Sequence, residues 1–293
     1  MLRRPFVETH IHLHDLTDPS LEYRWLERGG DLHEAAVLGE YGAIRAERYW
    51  ADDFIAETRF QNVSHVIHLQ NATGPDPLAE TRWLHAFHER LGVPDVVMSY
   101  CDLSALDARS IIEQNMEFDF FRGIRDPRDD DYLTNPDWEA GLAVLDEHGL
   151  ILCDDPPIAQ AAEAARLAHA YPRVTYCLDH ALWPALREPG DFVRWRDGLR
   201  VLAQAPNTVI KISGLGMVDR RWTTDSIRER VLTCIETFGV ERTIFGTNWP
   251  VDRLFSSYAD VLDAYAEIIH EFSDAEQEAL FGGNAKRIWR LGD

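Results

Sequence analysis

The residues best equipped for chemistry open the chain: Glu8-Thr9-His10-Ile11-His12. On a strand, alternate side chains share a face, so Glu8, His10 and His12 would point the same way. Two imidazoles on neighbouring same-face positions suit metal ligation or paired hydrogen-bond donation to a carbonyl oxygen. A second polar pair, Asp179-His180, follows the apolar run 174–178. A third group, Asn248-Trp249, follows Phe245-Gly246-Thr247. Asn248 can orient water or donate a hydrogen bond, but it cannot accept a proton as a base. The plainer reading of each motif is a hydrogen-bonded polar pair in the core. The chemical reading gains weight if all three motifs end strands that meet at one place.

Weaker signals surround these. Arg125, at the end of an apolar run, could clamp a carboxylate in bidentate fashion, or pair with the acidic loop beside it. His68 and Gln70 are two positions apart and could contact a ligand or form a core polar network. Lys211 and Ser213 also share a face. Lys211 reads as a buried ion-pair partner rather than a nucleophile, because burying an unpaired charge is costly.

The elements that must hold these residues alternate. Apolar runs at 6–12, 63–70, 95–102, 118–125, 150–154, 173–179, 208–213 and 242–247 read as strands, several without polar alternation, as strands buried on both faces should be. Amphipathic patterns fill the gaps. Asp76-Pro77 and Asn135-Pro136 place a cap residue before a proline, and Ser104 with Asp107 and Ser273 with Glu276 resemble capping boxes. Eight such units predict a single α/β domain over residues 1–293, a (β/α)8 TIM-like barrel, whose sites lie at the C-terminal ends of the strands. No glycine-rich phosphate turn follows the first strand. Residues 15–62 form a connection far longer than an ordinary βα loop. This insert, with Trp25, Tyr41, Tyr49 and Trp50, is expected at the catalytic face, as a lid or as a plug.

Composition narrows the partners. The chain has 29 Lys and Arg against 50 Asp and Glu, a formal charge of −21, which argues against nucleic-acid or anionic-membrane binding. Cys101, Cys153, Cys177 and Cys234 lie far apart and are expected to be buried free thiols. No membrane span and no signal peptide are expected, which points to a cytoplasmic protein acting on a small molecule.

The sequence resembles the amidohydrolase superfamily. It is closest to the amidohydrolase 2 group that includes 2-pyrone-4,6-dicarboxylate lactonase, sugar-acid lactonases and 4-sulfomuconolactone hydrolase. ETHIHLHDL, FFRGIRD, the LDH before Ala181, VIKISGLGM, FGTNWPVDRLFSSY and LFGGNAKRIWRL carry the resemblance in family order across residues 7–291. It implies a distorted barrel that hydrolyses a cyclic ester, with the family's first-strand histidines at His10 and His12, its sixth-strand histidine at His180 and its substrate arginine at Arg125. Glu8 stands where the family commonly has Asp. Asn248 stands where the family's eighth-strand Asp activates water.

The expected function is therefore a lactonase for a sugar-acid or aromatic-catabolite lactone, anionic or polyhydroxylated. His10, His12 and His180 would polarise the carbonyl directly or as ligands of one divalent ion such as Zn²⁺; some relatives use none. Asn248 would position water, with Glu8 or His180 as the base. Arg125, Gln70, His68 and Trp249 would line the substrate. The alternatives are a metal-dependent non-oxidative decarboxylase using Glu8, His10 and His180, and a non-catalytic binding barrel. A homo-oligomer is compatible with the sequence.

Overall fold

A computed structural model describes residues 4–26, 38–128, 131–184 and 188–292. Eight strands follow one another around a single parallel sheet: β1 (Phe6–Ile11), β2 (Val63–Leu69), β3 (Val96–Tyr100), β4 (Phe121–Arg125), β5 (Ile151–Asp154), β6 (Thr175–Leu178), β7 (Thr208–Ile212) and β8 (Thr243–Phe245). The remaining seam lies between β1 and the segment after β8. There Trp249 N donates to His10 O at 3.2 Å and His12 N donates to Trp249 O at 2.8 Å. The molecule is the expected (β/α)8 barrel. Most strands stop a residue or two before their apolar runs do, because the polar residues that finish the runs leave the ladder and turn into the mouth.

Helices α1 (Ala51–Thr58), α2 (Ala79–Leu91), α3 (Ala108–Asn115), α4 (Pro136–His148), α5 (Ala161–Ala170), α6 (Asp191–Leu202), α7 (Thr224–Phe238) and α8 (Tyr258–Ile268) accompany the strands. Local signals set several of their ends. Asn135 accepts from Asp137 N at 2.9 Å with Pro136 in the first turn, and Gly149 closes α4 at φ 61°. Ser273 and Glu276 form the expected capping box. Ser104 does not: its N–H and hydroxyl both donate to Asp102, and α3 begins later, at Ala108. The Asx-type turn at Asp102 satisfies those donors first.

Two apolar layers follow from strand alternation. Phe6, Val66, Val97, Ile124, Leu152 and Ile210 pack outward against the helices. Val7, Ile67, Val96, Ile151, Val209 and Ile244 fill the barrel, together with Ile288 and Trp289 of the C-terminal helix Asn284–Trp289. Gly123 belongs to the inner face of β4, where a Cβ would fall 1.9 Å from Ile151 O. Along the inner face the side chains change character toward the C-terminal end. Gly123 is followed by Arg125, Cys153 by Asp155, Cys177 by Asp179, Val209 by Lys211 and Ser213, and Ile244 by Gly246 and Asn248. The strand period of two thus builds a dry floor under a polar mouth.

The insert pairs His14–Asp15 with Arg48–Tyr49 in a short antiparallel ribbon. Its Leu21, Tyr23, Leu26, Leu38, Tyr41 and Ile44 cluster with Ala72, Met217 and Val251, which follow β2, β7 and β8. Residues 27–37 of the insert lie outside the described residues. The four cysteines are free and buried. Among the described residues no helix is long and apolar enough to cross a membrane.

Candidate active site

His10, His12, His180, Ser213 and Asn248 come together at the ends of β1, β6, β7 and β8. His10 Nε2 lies 3.1 Å from His12 Nε2. The rings of His10 and His180 are 4.5 Å apart between centroids. His180 Nδ1 is 3.1 Å from Ser213 Oγ. A Cβ at Gly214 would lie 2.6 Å from His180 Nδ1 and 3.2 Å from Asn248 Nδ2, so both side chains rest on this glycine. His180 begins four consecutive left-handed residues, His180 to Trp183, with φ between 50° and 54°. Such a turn costs L-residues roughly 1–2 kcal/mol each. It is held by Trp183 N donating to His180 O at 3.0 Å and by Trp195 Nε1 donating to Ala181 O at 2.7 Å.

Glu8 does not join its two histidines. The β1–β2 register shifts between Glu8 and Ile11. This irregularity breaks the alternation assumed from the sequence. Val7 faces the barrel interior, and Glu8 turns to the seam. Its Oε1 accepts from His10 N and Thr247 N at 3.0 and 3.1 Å; its Oε2 accepts from Thr247 Oγ1 and Tyr258 OH at 2.5 and 2.8 Å. Burial raises its pKa and these bonds lower it, leaving it above the ordinary value. Four donors occupy a carboxylate that strand alternation had assigned to the mouth.

The histidines are neutral. Burial, reinforced by neighbouring cations and imidazoles, holds His10 and His12 well below the ordinary imidazole pKa, and burial takes His180 to about 3. Leu69 O, 3.1 Å from His12 Nδ1, fixes the His12 proton there and leaves Nε2 a lone pair. His10 Nδ1 has no hydrogen-bond partner and lies 3.9 Å from Asp179 Oδ2. The carboxylate favours a proton on that nitrogen. The two Nε2 lone pairs then face each other at a spacing close to the roughly 3.3 Å between two nitrogens on one tetrahedral zinc. This donor pair fits a divalent ion. His180 does not close on it. Among the described residues, Cys153, Cys177 and Asp179 form the one set of three such side chains whose ligand atoms all lie within 4.8 Å.

That second set already holds a cation. Lys211 Nζ is 2.8 Å from Asp179 Oδ1 and 3.7 Å from Cys153 Sγ. Burial opposes the ammonium charge, but Asp179 and the two cysteines raise its pKa above the ordinary lysine value. Lys211 is the ion-pair partner its sequence context suggested. Asp179 also faces Arg125 Nε at 3.6 Å.

Arg125 crosses the mouth to Gln70, donating to its backbone O and Oε1 at 3.1 and 3.3 Å. His68 departs from Gln70. It lies in the layer behind the mouth, 3.5 Å from Leu13 O and 3.9 Å from Glu80 Oε1. Trp249 also faces away. Its Nε1 donates to Glu57 Oε2 at 3.0 Å, and its ring packs on Tyr258. Asn248 points inward, so the next residue must point outward. Trp25 from the insert and Trp183 after β6 supply aromatic walls instead. Trp25 stands 6.3 Å from His12 between centroids and donates to Asn71; Trp183 donates to Asp155.

The amidohydrolase family profile matches residues 7–291. The chain belongs to this family. It is 34% identical over 298 residues to the protein y4mH of Sinorhizobium fredii, covering 97% of this chain and 98% of that one. It is 31% identical over 229 residues to L-fucono-1,5-lactonase of Burkholderia ambifaria, covering 72% and 76%. A crystal structure of an amidohydrolase from Burkholderia multivorans with bound zinc matches with a TM-score of 0.82 at 25% identity, over 98% of this chain and 99% of that one.

Asp155 and Asp252 escaped the sequence reading, and Asp179, paired there with His180, was not read as the hub of the cations. The period-two signal could have found Asp155 and Asp179, since each lies two positions beyond an inner-face cysteine. Asp252 lies in the turn Val251–Leu254 beyond β8, where strand periodicity gives no guide. Its Oδ2 accepts from Asn248 Nδ2 at 2.8 Å and its Oδ1 from Gly216 N at 3.2 Å. Burial raises its pKa to about 7.

Proposed function

We propose that this amidohydrolase is a lactonase that adds water to the carbonyl of a sugar-acid or related hydroxy-acid lactone. The observation that carries the reading is the cluster of neutral, buried imidazoles beside Asn248 and Arg125 at a single barrel mouth. The likeness to L-fucono-1,5-lactonase supports the substrate class.

The substrate lies between the aromatic walls of Trp25 and Trp183. Arg125 and Gln70 receive a hydroxyl or carboxylate at one end of it. Asp155 accepts from a hydroxyl. The His10 and His12 edge faces the lactone carbonyl oxygen, and Asn248 orients water toward the carbonyl carbon. As the C–O bond to water forms, His180 takes the water proton through Nε2, its other nitrogen being held by Ser213. The ring C–O bond then breaks and the same proton passes to the departing ring oxygen, giving the open hydroxy acid.

A histidine with a pKa near 3 is a weak base, which makes activation of the carbonyl or of the water decisive. His10 and His12 would hold a divalent ion, which when bound polarises a carbonyl and acidifies water. Glu8 acts through the β1–β8 seam. Its four hydrogen bonds leave no donor-free oxygen beside His10, which favours the lactonase over a decarboxylase built on Glu8, His10 and His180. The test is a panel of sugar-acid 1,4- and 1,5-lactones followed with a pH indicator, with zinc present and absent. Turnover of at least one lactone, abolished in His180→Ala, is the expected result. Release of CO₂ from hydroxybenzoates with no lactone opened would replace the reading.

A further inference from the structure

Asn248 is a side chain with two unlike ends, and either could face the mouth. An amide N–H aimed at water binds the oxygen lone pair that must attack, whereas an amide oxygen accepts the water proton and leaves the lone pair free. The orientation therefore decides whether Asn248 helps or hinders.

Asp252 settles that orientation. Its Oδ2 is 2.8 Å from Asn248 Nδ2. With Asp252 ionised, the reverse placement would set two oxygens against each other at that distance. Met217 Sδ, 3.4 Å from Nδ2, takes the second N–H. Both donors of the amide are thereby spent, and no described residue donates to Asn248 Oδ1. The carboxylate that does this is itself built in. It is 2% exposed, and its other oxygen accepts from Gly216 N at 3.2 Å. A Cβ at Gly216 would lie 2.7 Å from Asp252 Oδ1, so the approach depends on glycine. Asn248 has φ 59°, a left-handed backbone that Asn tolerates better than most residues.

We propose that Asp252 is a positioning residue that fixes Asn248 by holding its amino group at the turn beyond β8, which leaves its oxygen as the end free to face the attacking water. The inference rests on the lactonase reading for its chemical consequence, and on the 248–252 contact for its geometry.

The test is a reciprocal exchange. In Asp252→Asn the amide of Asn248 loses its charged acceptor, and kcat is expected to fall about 10- to 100-fold with KM within about threefold. Asn248→Asp alone sets two carboxylates in contact, and kcat falls at least as far. The double variant Asn248→Asp/Asp252→Asn again pairs one carboxylate with one amide, and its kcat is expected at least about tenfold above either single variant. A scaffolding role alone would lower Tm without this reciprocal rescue. Wild-type kcat in Asp252→Asn, or a double variant no better than Asn248→Asp, overturns the proposal.

A second readout does not depend on the substrate. In protein labelled with ¹⁵N-asparagine, the Asn248 side-chain NH₂ pair, assigned by its loss in Asn248→Asp, should exchange slowly with solvent and do so quickly in Asp252→Ala. If wild type opens no lactone, the functional reading fails, while slow exchange that depends on Asp252 still supports the positioning. Equally fast exchange in both proteins overturns it.

Discussion

Lys211 Nζ lies 2.8 Å from Asp179 Oδ1 with both side chains fully buried, one layer beneath the histidines. The pair separates the dry floor of the barrel from its polar mouth. The ammonium also stands 5.4 Å over the ring of Trp289, the residue that plugs the opposite end. Asp179 in turn faces His10 Nδ1 at 3.9 Å and Arg125 Nε at 3.6 Å. One carboxylate thus ties the cation below to the imidazole and the guanidinium above.

Removing one partner leaves the other as an uncompensated buried charge. Lys211→Met is expected to lose on the order of 3–5 kcal/mol of stability. Lys211→Met/Asp179→Asn should regain much of that loss, because neither charge remains. Denaturant unfolding of wild type, single and double variants measures this. A single variant as stable as wild type would mean that Arg125 alone compensates Asp179.

The His10–His12 pair predicts a metal. Apo protein titrated with Zn²⁺ should bind about one equivalent and gain Tm, since an ion that binds only the folded state stabilises it by mass action. His12→Ala should abolish that gain, while His68→Ala, which alters a residue behind the mouth, should keep it. Chelator-treated protein with full activity and no tightly bound ion would overturn the metal reading of this pair.

The contrast between His12 and Glu8 shows what was legible in the sequence and what was not. Strand period and apolar runs are local properties, and they were enough for eight strands, their order and the convergence of His10, His180 and Asn248. Glu8 was misplaced because a register shift is decided by pairing with β2 and with the segment after β8, not by β1 itself. Trp249 was misplaced for a related reason: its aromatic type suggested a ligand contact, but its odd position relative to Asn248 sends it outward. Asp252 was out of reach because a contact between a strand end and the turn beyond it has no period. The insert aromatics divide similarly. Trp25 stands near His12, whereas Trp50 bonds to Asp15 within the insert and Tyr49 to Glu57 of α1.

Arg125 should govern substrate affinity more than turnover. Its Nη1 is anchored on Gln70, and no described residue accepts from its Nη2, the edge that the proposed substrate would use. Arg125→Lys keeps the charge but loses the planar fork. KM is expected to rise about tenfold with a smaller change in kcat. An unchanged KM on a turned-over lactone would remove Arg125 from the substrate contacts.

Asp126, just beyond β4, supplies a prediction about pH and stability. Its Oδ2 accepts from both Leu103 N and Trp138 Nε1, at 3.1 and 3.0 Å. Burial, the largest influence, raises its pKa to about 7. In the unfolded chain an aspartate titrates near about 3.9. Between those values the folded protein binds the extra proton, so stability falls as pH rises through the window and the loss is complete just above pH 7. The amide of an Asp126→Asn variant does not ionise, and its single oxygen can accept both hydrogen bonds. Asp126→Asn should therefore match wild type near pH 4 and exceed it by pH 8, by roughly a few kcal/mol. Measuring unfolding of both proteins from pH 4 to pH 8 tests the sign directly. A gap that stays constant or narrows toward pH 8 would show that Asp126 is ionised throughout, with Arg128 and the two donors outweighing its burial.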